Sequence, residues 1–200
     1  MRVDERDSVA IQFGVSPEQV ERDHLISHLL SAISGGFGDR LHFIGGTALA
    51  RTYLVNGRLS EDIDLVALDN RTVLAAELDT ASPRSVARSH GRLEWAPSLS
   101  DVPDTGAAHL RTASGVSVKI QLLSARGRPV WPAELRDIEQ RYSDVPSAEL
   151  LVLLAAFTDG LRDRPDTTFG NVKADVLTHF VPGFRRGDFV EVIQNSSWSE

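Results

Sequence analysis

The sequence contains no cysteine. This excludes a disulfide framework and a thiolate metal site, and it is typical of a reducing compartment. No apolar run approaches the roughly 20 residues of a membrane span; the longest, LLVLLAAF, begins at Leu150. The first residues, MRVDERDSVAIQFG, are charged and lack the apolar segment of a secretory signal. We therefore expect a soluble, cytoplasmic protein with no membrane partner.

Lysine is almost absent, since Lys119 and Lys173 are the only two. The formal net charge of −7 argues against broad nonspecific binding of nucleic acid through an all-round basic surface. The other cations are arginines, whose planar guanidinium groups suit phosphate oxygens and ordinary surface ion pairs alike. A local basic groove therefore stays open as an interpretation.

Hydrophobic periodicity and turn residues predict two parts of the chain, an α/β part over residues 1–128 and a helical part over 129–200, joined near ARGRPVWP. In the first part we expect a helix over 16–33, a strand over 41–44, a helix from Thr47, a strand over 62–68, a helix over 71–79, a strand within 85–97 and two strands within 107–124. In the second part the first helix is predicted over 146–163.

His24 and His28 lie four residues apart on the first predicted helix. This spacing places two side chains on one helix face and can bind a metal ion. No third ligand stands nearby in the sequence. We therefore interpret the pair as surface or partly packed imidazoles, with metal binding as the alternative.

Two aspartates, Asp62 and Asp64, alternate with apolar residues in a predicted strand. Alternate side chains of a strand share a face, so the two carboxylates project together while Ile63 and Leu65 point into the core. Neighbouring carboxylates repel and raise each other's pKa. A hard divalent cation, held by oxygen ligands and shared with substrate phosphates, would offset this repulsion.

A glycine pair, Gly45 and Gly46, stands between a predicted strand and a helix that begins at Thr47. Glycines let the backbone approach an anion closely, and the start of a helix offers free N–H groups and positive electrostatic potential. Each pattern alone is usual for a turn or a strand edge. Together with the aspartates, the glycine pair indicates a site for phosphate chemistry.

The stretch Gly45–Arg51, followed by Arg58–Leu65, resembles the signature of the abortive-infection E type (AbiEii) nucleotidyltransferase toxins. That group includes the mycobacterial MenT toxins and is similar to the wider polymerase-beta-like nucleotidyltransferase superfamily. The resemblance implies an α/β (α+β) fold with a mixed sheet and flanking helices, followed by a helical half. It also implies Mg²⁺-dependent transfer of a nucleoside monophosphate from a nucleoside triphosphate. In MenT toxins the acceptor is the tRNA 3′ end, and such toxins are usually encoded with an antitoxin.

The resemblance assigns roles to individual residues of this sequence. It implies that Asp62 and Asp64 bind Mg²⁺ and are catalytic. The further catalytic residues it implies are Ser60 and Asp175, and the nucleotide-binding residues it implies are Gly45, Gly46 and Thr47. The toxins also carry a helical lysine that this sequence lacks, and our candidates to supply its charge to the nucleotide are Arg51, Arg58, Lys119 and Lys173.

The sequence departs from the family pattern at two positions. Gln121 stands where superfamily members carry a third carboxylate, and glutamine cannot accept a proton as a base. A leucine stands where the toxins carry a helical lysine. Two alternatives therefore stay open: a nucleotidyltransferase acting on a small molecule or a protein, and a non-catalytic nucleotide-binding module.

Overall fold

The computed structural model describes residues 1–52, 58–126 and 133–152. Its helices are α1 (Val3–Phe13), α2 (Pro17–Phe37), α3 (Gly45–Thr52) and α4 (Arg71–His90). Its strands are β1 (Leu41–Ile44), β2 (Asp62–Ala67), β3 (Leu93–Trp95), β4 (Ala107–Thr112), β5 (Ser117–Ser124), β6 (Glu134–Asp137) and β7 (Glu149–Val152).

The seven strands form one mixed sheet in the order β3-β4-β5-β2-β1-β7-β6. Strand β2 pairs with β5, and β1 with β7, in parallel. The other four pairings are antiparallel. The predicted mixed α/β fold is confirmed, including the two strands joined by the turn that contains Gly115.

Helices α2 and α4 share one hydrophobic core with the sheet. The first predicted helix is confirmed: Ser16 caps α2 by accepting a hydrogen bond from the Gln19 N–H at 3.3 Å, and Pro17 takes the first helical position. Ile63 and Leu65 of β2 are fully buried in this core. Asp62 and Asp64 alternate with them and therefore lie on the opposite face of the sheet.

The helix predicted from residue 146 is wrong over the part that the structure describes. Residues Glu149–Val152 form β7, which pairs with β1 on one side and β6 on the other. Leu150 and Val152 are fully buried, whereas Glu149 is exposed, so the burial follows the two-residue period of a strand. A continuous apolar run does not distinguish a buried strand from a buried helix. The division into two domains at residue 128 stays a prediction, and residues 153–200 lie outside the described ranges.

The strand predicted within residues 85–97 is only partly correct. Helix α4 continues to His90, where the Gly91 N–H bonds to the Ala87 carbonyl, and β3 then covers only Leu93–Trp95. Val86 is fully buried on the core side of the helix and helps to hold this last part against the sheet. Among the described helices, none is both long and apolar enough to cross a membrane.

Candidate active site

Helix α3 follows β1 without an intervening turn, so the helix begins at Gly45 rather than at Thr47 as predicted. Gly45 has a φ of +83°, a backbone conformation that other residues adopt only with strain. A Cβ atom at Gly45 would lie 2.5 Å from Oδ2 of Asp64. The glycine therefore permits the carboxylate of Asp64 to lie directly against the start of the helix.

Asp62 and Asp64 lie on β2 between α3 and β5. Asp64 is opposite Ile44 of β1, and Asp62 is level with Lys119 of β5. The Thr47 hydroxyl donates to Oδ1 of Asp62 at 3.2 Å, and Nζ of Lys119 lies 3.2 Å from Oδ2 of Asp62. The structure thus brings together five of the predicted site residues: Gly45, Thr47, Asp62, Asp64 and Lys119.

The carboxylate of Asp64 is buried with an incomplete set of partners. The residue is 3% exposed, and its Oδ1 has no hydrogen-bond partner among the described residues. Burial, and secondly the Asp62 carboxylate, raise the pKa of Asp64 to about 7, while Lys119 and Arg58 act in the opposite direction. A buried, unpartnered carboxylate oxygen beside a second carboxylate is the donor set that Mg²⁺ prefers. The residues present therefore fit the implied metal.

Arg58 lies across the second glycine of the pair. A Cβ atom at Gly46 would lie 2.5 Å from Nη2 of Arg58. The Arg58 side chain is 37% exposed, and its nearest ion-pair partner, Glu61, is 3.9 Å away. The guanidinium is thus partly open to solvent beside the start of α3, where it can contact a phosphate.

Arg51 is not placed to bind a nucleotide as predicted, because its side chain is fully buried. Its Nη2 donates to Oδ1 of Asp23 and to the Ser27 hydroxyl, each at 2.8 Å, and its Nη1 donates to the Glu139 carbonyl at 2.8 Å. Its Nε donates to the Ser60 hydroxyl at 2.8 Å. These contacts assign Arg51 a structural role.

Ser60 is also fully buried, and its backbone N–H donates to Oδ1 of Asp23 at 2.6 Å. The other carboxylate oxygen of Asp23 accepts from the Tyr142 hydroxyl at 2.8 Å. Asp23 therefore connects α2, α3, the segment that leads into β2 and the segment before β7. The predicted contact of Ser60 with a phosphate stays a prediction.

The sequence interpretation missed Asp23 and Tyr142. The available signal was that Asp23 lies three residues from both Val20 and Ile26, which places an acidic residue within the apolar stripe of a helix. A charge in that position needs a buried partner. No spacing in the sequence identifies Tyr142 as one of its partners.

Gln121 lies directly beside Asp64 in the parallel register of β2 and β5. It is 4% exposed, and its Nε2 donates to the Thr105 carbonyl at 2.8 Å. The amide therefore ties β5 to the loop before β4. Lys173 and Asp175, the two remaining predicted site residues, lie outside the described residues, and their roles stay predictions.

Comparison with known proteins gives one family and one fold. The family model described as "Nucleotidyl transferase AbiEii toxin, Type IV TA system" matches residues 28–158, more than half of the chain. No curated protein matches the sequence. Among solved structures, the chain is similar to MenT4, a nucleotidyltransferase toxin from Mycobacterium tuberculosis H37Rv, with a TM-score of 0.51 and 21% identity. The match covers 82% of this chain and 60% of the MenT4 chain, so this chain spans about three fifths of that structure's length.

Proposed function

The chain belongs to the AbiEii family of nucleotidyltransferase toxins, and we propose that it transfers a nucleoside monophosphate from a nucleoside triphosphate to RNA, most specifically to the 3′ end of tRNA. The observation that carries the proposal is the buried, incompletely partnered carboxylate of Asp64. It lies beside Asp62 and against the glycine that begins α3. These residues combine a cation site with an anion site on one face of the sheet.

Asp62 and Asp64 would hold Mg²⁺, which when bound neutralises phosphate charge and stabilises the charge that develops during transfer. Lys119 lies 3.2 Å from Asp62 and brings a positive charge to the same place from β5. Thr47 donates to Asp62 and fixes the orientation of its carboxylate. The protein thus positions the two carboxylates before any substrate binds, which is the main contribution of residues in phosphoryl transfer.

The start of α3 would bind the triphosphate. The N–H groups at the beginning of a helix have no partner within the helix and carry positive potential, so they favour anions. Arg58 lies beside this point with a partly exposed guanidinium that suits phosphate oxygens. We assign the phosphates to Gly45, Gly46, Thr47 and Arg58, with Lys119 beside the carboxylates.

In the proposed reaction, a hydroxyl oxygen of the acceptor attacks the α-phosphorus of the nucleoside triphosphate. The bond between the α-phosphorus and the bridging oxygen breaks, and pyrophosphate leaves with that electron pair. The hydroxyl proton passes to water, because the amide of Gln121 cannot accept it. The products are an acceptor extended by one nucleotide and pyrophosphate.

The proposal also names the partners of the protein: a tRNA acceptor, a nucleoside triphosphate donor and an antitoxin. The matching family is described as toxins of type IV toxin–antitoxin systems, which supports a cognate antitoxin protein as partner. The nucleotidyltransferase chemistry supports a nucleoside triphosphate as donor. With tRNA as its substrate, the protein would act in the cytoplasm.

The test is incubation of the purified chain with Mg²⁺, each α-labelled nucleoside triphosphate in turn, and total tRNA. We expect one nucleotide to label the RNA, and the label to be lost in Asp62→Ala and in wild type treated with EDTA. The matched control is Asp69→Asn. It removes an exposed carboxylate that lies just beyond the end of β2 and forms an ion pair with Arg40. Transfer by Asp62→Ala at the wild-type rate would refute the metal site.

Gln121 favours one alternative, a non-catalytic nucleotide-binding module, because its side chain occupies the place of a carboxylate and is fixed by the Thr105 carbonyl. That alternative predicts Mg²⁺-dependent nucleotide binding without label on any acceptor. The charge of −7 favours the other alternative, a cationic small-molecule or protein acceptor. That one predicts label on such an acceptor and none on tRNA.

A further inference from the structure

Three histidines from two helices meet on the α2–α4 side of the fold. His24 and His28 lie one turn apart on α2, and His90 is the last residue of α4. One ring nitrogen from each residue lies within 4.8 Å of the other two. The third ligand that the sequence spacing did not supply is therefore provided by the packing of α4 against α2.

The ring nitrogens converge on one another. Nδ1 of His24 lies 3.0 Å from Nε2 of His90. Nε2 of His28 is buried and has no hydrogen-bond partner in the described part of the chain. A ring nitrogen that is kept from water and left without a donor or acceptor is costly in free energy. A bound cation would remove that cost.

The outer side of the cluster already carries the contacts that orient metal-binding imidazoles. Nε2 of His24 lies 2.9 Å from Oδ1 of Asp144, and Nδ1 of His90 lies 2.9 Å from the Ser89 hydroxyl. In protein metal sites, a ligating histidine usually bonds a carboxylate or another oxygen through its second nitrogen. His24 and His90 each leave one nitrogen facing the cluster while the other is held in this way.

We propose that His24, His28 and His90 bind a divalent transition-metal ion of the Zn²⁺ class, with Asp144 orienting His24. Imidazole nitrogens suit zinc, copper and nickel, whereas Mg²⁺ prefers oxygen ligands, so this site is chemically distinct from the Asp62–Asp64 pair. With zinc–nitrogen bonds of about 2.0–2.1 Å, tetrahedral ligand nitrogens lie roughly 3.3 Å apart. The 3.0 Å between His24 and His90 is close to this value, and the three ligand nitrogens lie within 4.8 Å of one another, so the rings would move together on binding the ion.

The site would connect parts of the protein that are distant in sequence. Oδ2 of Asp144 binds the N-terminal ammonium group at 2.5 Å, so the cluster adjoins both the start of the chain and the segment before β7. The ring of Tyr142 lies edge-on to His24, with centroids 4.9 Å apart, and its hydroxyl donates to Asp23. The metal would therefore stabilise the network of Asp23 and Arg51, which contacts Ser60 two residues before Asp62.

The test is titration of tag-free, chelator-treated protein with Co²⁺, followed by competition with Zn²⁺. We expect one equivalent of Co²⁺ to give the intense visible absorption of four-coordinate cobalt, Zn²⁺ to abolish it, and Zn²⁺ to raise the melting temperature. His28→Gln and His90→Gln should each weaken Co²⁺ binding by tenfold or more. His109→Gln is the matched control, because this histidine lies on β4 outside the cluster and its loss should leave the titration unchanged.

Three results would overturn the proposal: weak absorption typical of six-coordinate cobalt, no saturable binding at one equivalent, or equal affinity in His28→Gln and wild type. Circular dichroism checks that each variant is folded. His28→Gln is the safer variant, since His28 Nε2 has no hydrogen bond to lose among the described residues. The wild-type cobalt spectrum stands independently of both variants.

Discussion

The replacement Asp64→Asn should make the metal-free protein more stable while abolishing nucleotide transfer. Burial and the neighbouring Asp62 raise the pKa of Asp64 from 3.8 to about 7. An unfolded chain ionises this carboxyl near the lower value, so above pH 7 the folded state carries a charge that its surroundings disfavour. Asparagine has similar shape and no charge, and the unfavourable ionisation disappears.

The size of the expected stabilisation follows from the difference between the two pKa values of Asp64, 3.8 and about 7. At about 1.4 kcal/mol per pH unit, the interval corresponds to roughly 4 kcal/mol. The amide has its own buried polar atoms, whose desolvation costs about 1–3 kcal/mol. The net gain expected above pH 7 is therefore about 1–3 kcal/mol in the free energy of unfolding. Each kcal/mol corresponds to an increase of about 2–4 °C in the melting temperature.

The difference in stability between Asp64→Asn and wild type depends on pH. Between about pH 4 and pH 7, folded wild type holds more protons than the unfolded chain, so its stability falls as the pH rises and then levels off above 7. Asp64→Asn lacks this titration. The stability of Asp64→Asn relative to wild type should be highest above pH 7 and should fall by roughly 4 kcal/mol towards pH 4, where the variant should be the less stable protein by about 1–3 kcal/mol.

Urea unfolding at constant ionic strength, with EDTA present, at pH 5, 6, 7 and 8 measures this difference. Glu61→Gln is the control, since it removes a half-exposed charge next to Asp62 and should shift stability by less than about 0.5 kcal/mol. Millimolar Mg²⁺ should then stabilise wild type and leave Asp64→Asn unchanged. A variant no more stable than wild type at pH 8, or a difference that is the same at pH 5 and pH 8, would refute the reasoning.

Two further predictions concern the glycines and the arginines. Gly45→Ala should lower the melting temperature and abolish transfer, because the added Cβ would lie 2.5 Å from Asp64 and the φ of Gly45 is positive. Gly36→Ala is its control: this glycine lies in an open part of α2, and the variant should stabilise the protein by about 0.5–1 kcal/mol. Thermal unfolding of both proteins checks this, and equal melting temperatures would contradict it. Arg51→Met should lower the free energy of unfolding by about 3–5 kcal/mol, because it leaves the buried charge of Asp23 without its ion-pair partner. Arg58→Met should change the free energy of unfolding by less than about 0.5 kcal/mol and raise the KM for the nucleotide. Unfolding and steady-state kinetics separate the two arginines, and the reverse pattern would show that their roles are exchanged.

The local parts of the fold were predictable from the sequence. The two-residue period of a strand assigns Asp62 and Asp64 to one face of β2, and this period holds wherever the apolar residues of the strand are buried. Glycine marks sharp changes of backbone direction, which correctly predicts the end of β1 at Ile44 and a helix directly after it, although that helix begins at Gly45 and includes the glycine pair. These inferences use residues close together in the chain, where local geometry decides the outcome.

The remaining features depend on contacts between distant segments. Nothing local in the run at Leu150 distinguishes a strand from a helix, since that depends on whether β1 has a free edge to pair with. Arg51 has the same sequence context whether it binds a phosphate or Asp23, and only the packing of α2 decides between them. His90 joins His24 because α4 packs on α2, which no spacing of residues reveals.

The position of β7 also determines when β1 gains its second neighbour in the sheet during synthesis. Strand β1 leads directly into the glycines that begin α3 and lies between β2 and β7. Of the described strands, β7 is the last to leave the ribosome. Until then β1 has an open edge, which is prone to pairing with other chains. A fragment that ends near residue 126 would contain both carboxylates of the proposed metal site but not this neighbour of β1. An expression fragment, or a nascent chain, thus needs residues up to Val152 to bury the strand on which the site is built.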